Sequence, residues 1–290
     1  MGAVNLIDTL IGGLLLGGLY TLFAIGLSLI FGVMRLVNIA HGDFIVLAAY
    51  IAYLVIGATG LHPLVALLVI IPIMAMIGYL LQKWVLNRTM GDDDVLPPLL
   101  VTFGLAVIIQ NALLAAFTSN SMRLSAGSLQ TSSLPLGSIQ IGLLPLFTLA
   151  VAVILVIVLE FIFARTRVGR AFRATSDDPP IASAIGVRAD HIYALAMAIS
   201  FATIAIASVF LAMRSNFDPY SGPARLIYGF EAVIIGGLGS FYGTLAGGLV
   251  LGLAQSFGAQ ISPNMQILAG HLFFFIILAL RPRGLFPKAP

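Results

Sequence analysis

Residues 6–31 read LIDTLIGGLLLGGLYTLFAIGLSLIF, a stretch with a single charge, Asp8. At 1.5 Å of rise per residue, a helix through it is longer than the roughly 30 Å hydrocarbon core of a bilayer. Leu96–Phe117, Leu143–Phe163 and Ile192–Met213 are also long and apolar enough to cross. Across all 290 residues, 60% are hydrophobic and only 9% are charged, whereas a soluble domain carries about 25% charged residues. A water-soluble fold of this size cannot cover its surface with so few charges. The chain therefore reads as an all-α, polytopic transmembrane helical bundle.

Hydropathy divides the chain into about nine membrane segments. They are Leu6–Phe31, Phe44–Ile56, Pro63–Leu81, Leu96–Phe117, Leu143–Phe163, Ile192–Met213, Phe230–Leu238, Tyr242–Phe257 and Met265–Leu280. Phe44–Ile56 and Phe230–Leu238 are too short for simple crossings, which predicts discontinuous helices held inside a bundle. We treat residues 1–290 as a single transmembrane domain with no cleavable leader, because no basic residue precedes the long first apolar run. Lys83, Arg88, Arg165, Arg167, Arg170, Arg173, Arg188, Arg281, Arg283 and Lys288 fall in alternate connections; the others hold only Arg123, Arg214 and Arg225. The positive-inside rule then places the N-terminus outside, the C-terminus in the cytoplasm, a loop of residues 164–190 inside and one of residues 118–142 outside. Trp84 beside Lys83 fits an interfacial anchor, and Ser138–Ile141 has the alternation of a short strand.

Absent residue types bound the chemistry. Without cysteine there is no disulfide, thiol nucleophile or thiolate metal site. The two lysines, Lys83 and Lys288, lie outside any G-x-x-x-x-G-K-S/T phosphate loop, so no ATPase motif is expected in this chain. His41, His62, His191 and His271 lack metal-ligand spacing, and no Ser–His–Asp arrangement suggests itself. We expect no enzyme activity, cofactor or metal.

Three constellations stand out. In residues 35–43, RLVNIAHGD, the run of Asn38, His41, Gly42 and Asp43 would interrupt a membrane helix. It is either a functional break lined by protein or water, or a cytoplasmic turn with Asp43 capping the next helix. Farther on, Glu231 precedes an apolar tract ending in Gly236, Gly237 and Gly239. It either pairs with Arg225 or lines a polar path, while the glycines allow close backbone approach or a re-entrant turn. In the third, Arg167, Arg170 and Arg173 recur every three residues, and Asp177-Asp178-Pro179-Pro180 then reads as a helix start with Asp178 as N-cap. The short helix Pro179–Ile185 stops at Gly186 and suits contact with a soluble partner; the arginines also suit anionic lipid headgroups. Separately, residues 9–17 and 244–252 echo one another, either as an inverted repeat or because Gly13/Gly17 and Gly248/Gly252 both serve close packing.

Residues 26–43, GLSLIFGVMRLVNIAHGD, resemble the N-terminal signature of Liv-type branched-chain amino-acid permeases of the shorter, H-type class. Residues 166–178, TRVGRAFRATSDD, residues 236–240, GGLGS, and residues 281–286, RPRGLF, agree in the same order. The resemblance implies a permease subunit of a bacterial inner-membrane ABC importer for branched-chain or other hydrophobic amino acids. It also implies a second homologous permease, two cytoplasmic ATPases that bind ATP and Mg, and a periplasmic substrate-binding protein. On that analogy Pro179–Gly186, with Ala182, is the coupling helix, joined by Arg167, Arg170, Arg173, Asp177 and Asp178 in the ATPase contact. Asn38, His41, Asp43, Glu231, Gly236 and Gly237 would line or gate the path. Two positions depart from the pattern: Gln255 stands where relatives carry a carboxylate, and Pro287 where they carry glycine. The rival readings are a permease for another small solute (urea, an amide or an aromatic acid) and a self-sufficient carrier or channel.

Overall fold

The computed structural model describes residues 3–90, 96–136 and 139–286, leaving Pro287, Lys288 and Ser138 outside the described residues. In chain order the helices are α1 (Ala3–Met34), α2 (His41–Thr59), α3 (Pro63–Trp84), α4 (Leu96–Phe117), α5 (Ser128–Thr131), α6 (Leu143–Arg165), α7 (Arg167–Asp177), α8 (Pro179–Ala184), α9 (Ala189–Arg214), α10 (Gly222–Gly236), α11 (Phe241–Ile261) and α12 (Met265–Leu280). A 3-10 turn, Leu86–Arg88, follows α3, and strands β1 (Ser133–Leu136) and β2 (Ile139–Gly142) form an antiparallel hairpin before α6. Seven of these helices are long and apolar enough to span a membrane, and α12 is a shorter apolar helix. The protein is a multi-pass, all-α membrane protein.

Burial sorts the helices into a centre and a rim. The most apolar window of α1 is 83% buried within the chain and that of α9 72%, against 22% for α3, α4 and α6. An apolar helix that the protein leaves uncovered must be covered by lipid or by another subunit. The close neighbour of α1 is α11, running antiparallel to it. Leu249 and Gly248 meet Gly17, while Leu253 and Ser256 meet Gly13, so tightly that a Cβ on Gly17 would lie 2.5 Å from the Leu249 Cα. The two echoing segments thus pack glycine face to glycine face, the arrangement the G-x-x-x-G reading expects.

After Met34 the chain leaves helical geometry at Arg35, whose φ of 52° is in the left-handed region. Residues 36–40 then turn back along α1, because His41 at the start of α2 places its Nε2 3.0 Å from the carbonyl oxygen of Phe23. Two expectations change here. The segment expected over Phe44–Ile56 is a 19-residue helix, because buried His41, Gly42 and Asp43 belong to its first turn. Nor is the break a turn capped by Asp43: the N-cap is Ala40, without a side-chain cap bond. Hydropathy ends the segment at these polar residues, whereas the protein buries them and extends the helix through them.

At 15 residues, α10 is short for a crossing, which takes about 20. It ends where Gly236 packs against the Gly243 backbone and Gly237 takes a φ of 109°. Its last carbonyls do not go to water: the Leu285 amide donates to the Ile235 oxygen at 2.8 Å and the Phe286 amide to the Gly236 oxygen at 2.9 Å. Gly284, at a φ of 80°, lies against Gly237 to allow this. The terminal RPRGLF block is therefore the C-terminal cap of a half-length helix.

Candidate functional site

Two polar clusters lie inside the bundle, joined by α10. The first surrounds the break before α2. Asp43 is 2% exposed and accepts a 2.9 Å hydrogen bond from the Gln110 Nε2 of α4. Its carboxyl group also lies against the backbone of Gly222 at the start of α10, where a Cβ would sit 2.8 Å from the Asp43 Cγ. The Ile39 amide donates to Thr102 Oγ1 at 3.3 Å. Both polar atoms of the Asn38 side chain and the Nδ1 of His41 are buried without a hydrogen-bond partner among the described residues. Unpartnered buried polar atoms are uncommon in folded proteins and cost about 1–3 kcal/mol each. Three of them gather beside this one helix break.

Glu231 organises the second cluster, and it does not pair with Arg225. Its carboxylate bonds His271 Nδ1 on α12, while the Arg225 Nε is buried without a hydrogen bond. The Tyr228 ring packs 5.0 Å from Tyr20 and stacks 6.5 Å from His271, and the Tyr20 hydroxyl donates to Gln255 Oε1 at 2.5 Å. Side chains from α1, α10, α11 and α12 therefore meet in one cluster, two hydrogen-bonded pairs bridged by the Tyr228 ring, in which the His271 side chain is 36% exposed. Gln255 acts in it as a neutral acceptor, so this position takes part without a charge. His271→Leu should destabilise the protein by about 1–3 kcal/mol, because it leaves the Glu231 carboxylate unpaired. Adding Glu231→Leu should recover part of that loss, as measured by chemical unfolding in detergent.

The third constellation lies at the opposite end of α6 from the β1–β2 hairpin. Thr166 Oγ1 caps α7 by accepting from the Gly169 amide at 3.1 Å, and Asp178 Oδ1 caps α8 by accepting from the Ile181 amide at 2.9 Å. Gly186 ends the turn after α8 at a φ of 90°. Arg167, Arg170 and Asp177 are exposed, but Arg173 turns inward and its Nη1 donates to the Phe163 carbonyl of α6. Phe172 stacks on Phe163 with ring centres 4.9 Å apart, and the Ser176 hydroxyl donates to the Gly32 oxygen at 2.8 Å. Thus α7 is clamped to α6 and α1, and α8 extends from it with Ala182 buried beneath. Sequence reading passed over Ile181 and Ile185, which are 63% and 71% exposed. Their signal was the four-residue spacing of two large apolar side chains in a polar loop.

The profile of the family described as branched-chain amino acid transport system, permease component, matches residues 9–280. The chain belongs to this family. The permease is 28% identical to the high-affinity branched-chain amino acid transport permease BraD of Pseudomonas aeruginosa, over 96% of this chain and 95% of BraD. It is 27% identical to LivH of Escherichia coli K12, over 96% of this chain and 94% of LivH. A fructose import permease of Rhizobium meliloti, FrcC, is 26% identical over 84% of this chain and 69% of its own length. No solved structure matches the permease.

Proposed function

We propose that the permease carries branched-chain or other hydrophobic amino acids across a bacterial inner membrane as one subunit of an ATP-binding-cassette importer. The observation that carries this reading is α8: a short, doubly signalled helix that exposes Ile181, followed at its C-cap by exposed Ile185. Such a ridge needs a partner, and a separate ATPase subunit is the partner a permease requires. The names of BraD and LivH support the substrate class.

The basic end, with α7 and α8, faces the cytoplasm and the N-terminus lies outside. ATP and Mg belong to two ATPase subunits, and a second, related permease completes the membrane pair. A periplasmic binding protein delivers substrate to the end that carries the β1–β2 hairpin. Arg167, Arg170, Asp177, Pro179, Ile181 and Ile185 form the ATPase contact, while Asp178, Ala182 and Gly186 set the shape of α8. Arg173, Phe172 and Ser176 hold α7 to α6 and α1, so displacement of α8 is transmitted to the end of α1 and the break that follows. That break carries Asn38, His41 and Asp43 to the start of α10, whose far end holds Glu231, Gly236 and Gly237. Switching at this joint opens the polar path to one side at a time.

Deleting the permease gene should abolish ATP-dependent uptake of labelled leucine, isoleucine and valine. Retained uptake of all three, with loss of another solute, would transfer the assignment to that solute. The fructose import permease among the relatives favours this second reading, a different small solute. A charge reversal checks the contact: Arg167→Glu with Arg170→Glu should lower uptake at least tenfold with membrane orientation unchanged, read by uptake and site-directed labelling.

A further inference from the structure

Beneath α7 lies a cleft of about 230 Å³ that belongs to neither polar cluster. It is walled by Ser28 and Gly32 of α1, Glu160 of α6, Arg173 of α7, and Ser240 and Tyr242 where α11 begins. Pockets for drug-sized ligands run roughly 300–1,000 Å³, so this one suits a small solute or a single headgroup.

Its lining is chemically polarised. Glu160 supplies a carboxylate within four residues of the apolar run's end, yet it has no hydrogen-bonded or ionic partner among the described residues. A carboxylate on a membrane helix is costly unless something answers its charge. Arg173, also in the lining, offers its remaining guanidinium N–H groups, since only Nη1 is bonded to Phe163. The first turn of α11, capped by Ser240 Oγ through the Gly243 amide at 3.0 Å, also lines the cleft and adds its partial positive charge. Ser28 lines the cleft as well, and its hydroxyl is buried without a hydrogen-bond partner among the described residues. Opposite charges in one cleft, not paired with each other, together with an unused buried hydroxyl, describe the complement of a zwitterion.

We propose that this cleft binds a small zwitterion that carries a primary ammonium and an acidic group. Glu160 receives the ammonium, Arg173 and the α11 terminus receive the acid oxygens, and Ser28 supplies one further hydrogen bond. Two sources present this chemistry at the site, a free α-amino acid and the phosphoethanolamine headgroup of a membrane lipid. Because Arg173 also clamps α7, occupancy stiffens the segment that bears α8. The site is separate from the substrate path and stands whatever solute the path carries.

The test uses the intact permease with its copurifying subunits in an uncharged maltoside detergent, stripped of lipid. Phosphatidylethanolamine and phosphatidylglycerol are added separately and retention is read by native mass spectrometry. Labelled L-leucine is titrated by equilibrium dialysis. Glu160→Gln and Ser28→Ala are compared with the wild type, their folding being checked by thermal unfolding. One-to-one retention of phosphatidylethanolamine over phosphatidylglycerol, lost in Glu160→Gln, supports the proposal with lipid as the source. Leucine binding weakened at least tenfold by Glu160→Gln and about fivefold by Ser28→Ala supports it with a free amino acid as the source. If neither probe binds, or if both variants bind as the wild type does, the proposal is overturned.

Discussion

Replacing Ile181 and Ile185 together by glutamate should abolish ATP-driven uptake while the permease remains folded in the membrane. Both residues are mostly exposed, at 63% and 71%, so this chain leaves the larger part of each uncovered. They are four residues apart and share a face, as neighbours on one helical turn do. Truncating a buried anchor at a protein interface commonly costs 2 kcal/mol or more, about a 30-fold loss of affinity per residue. A charge in the same pocket costs more, since it is desolvated without a partner. ATPase subunits should therefore fail to copurify, and uptake should fall at least 100-fold. Ala182→Glu serves as a contrast, because Ala182 is 1% exposed and the change should disrupt α8 itself. Wild-type ATPase recovery and uptake in the isoleucine double variant would remove α8 from the contact.

The second large effect is expected at the seam between α1 and α11. Gly17→Leu should eliminate folded protein, and Gly17→Ala should destabilise it by about 1–3 kcal/mol, the usual cost of overpacking. The reason lies in the backbone. A Cβ on Gly17 would approach the Leu249 Cα at 2.5 Å and the Gly248 oxygen at 2.6 Å, and main-chain atoms cannot rotate aside. Gly57 is the control on an exposed part of α2, where a Cβ meets nothing within 4 Å. Gly57→Ala should leave stability unchanged or slightly raised. Thermal unfolding in detergent measures all three, and equal behaviour of Gly17→Ala and Gly57→Ala would contradict the seam.

What the sequence made legible follows from where the physics is local. Long apolar runs are a local property, and α1, α4, α6 and α9 were readable within a few residues. Helix caps are local too: Asp178 followed by two prolines located α8, and the structure supplies its cap bond to Ile181. The start of α2 was misplaced at Phe44 because His41, Gly42 and Asp43 read as polar, although Gln110, 67 residues away, satisfies Asp43. The partner of Glu231 was equally hidden: Arg225 is six residues away in sequence, whereas His271 arrives from α12. The inward turn of Arg173 depends on the path of α6 above it, which no three-residue spacing reveals. Pairings across helices come from tertiary packing, and sequence patterning does not contain them.

The most direct test of the account is the mass of the intact particle, purified through a tag on the permease in mild detergent and weighed by native mass spectrometry. The expected result is one copy of this chain with a second permease and two ATPase subunits. A particle containing this chain alone, still able to move solute into vesicles without ATP, would contradict the importer and leave a self-sufficient carrier or channel.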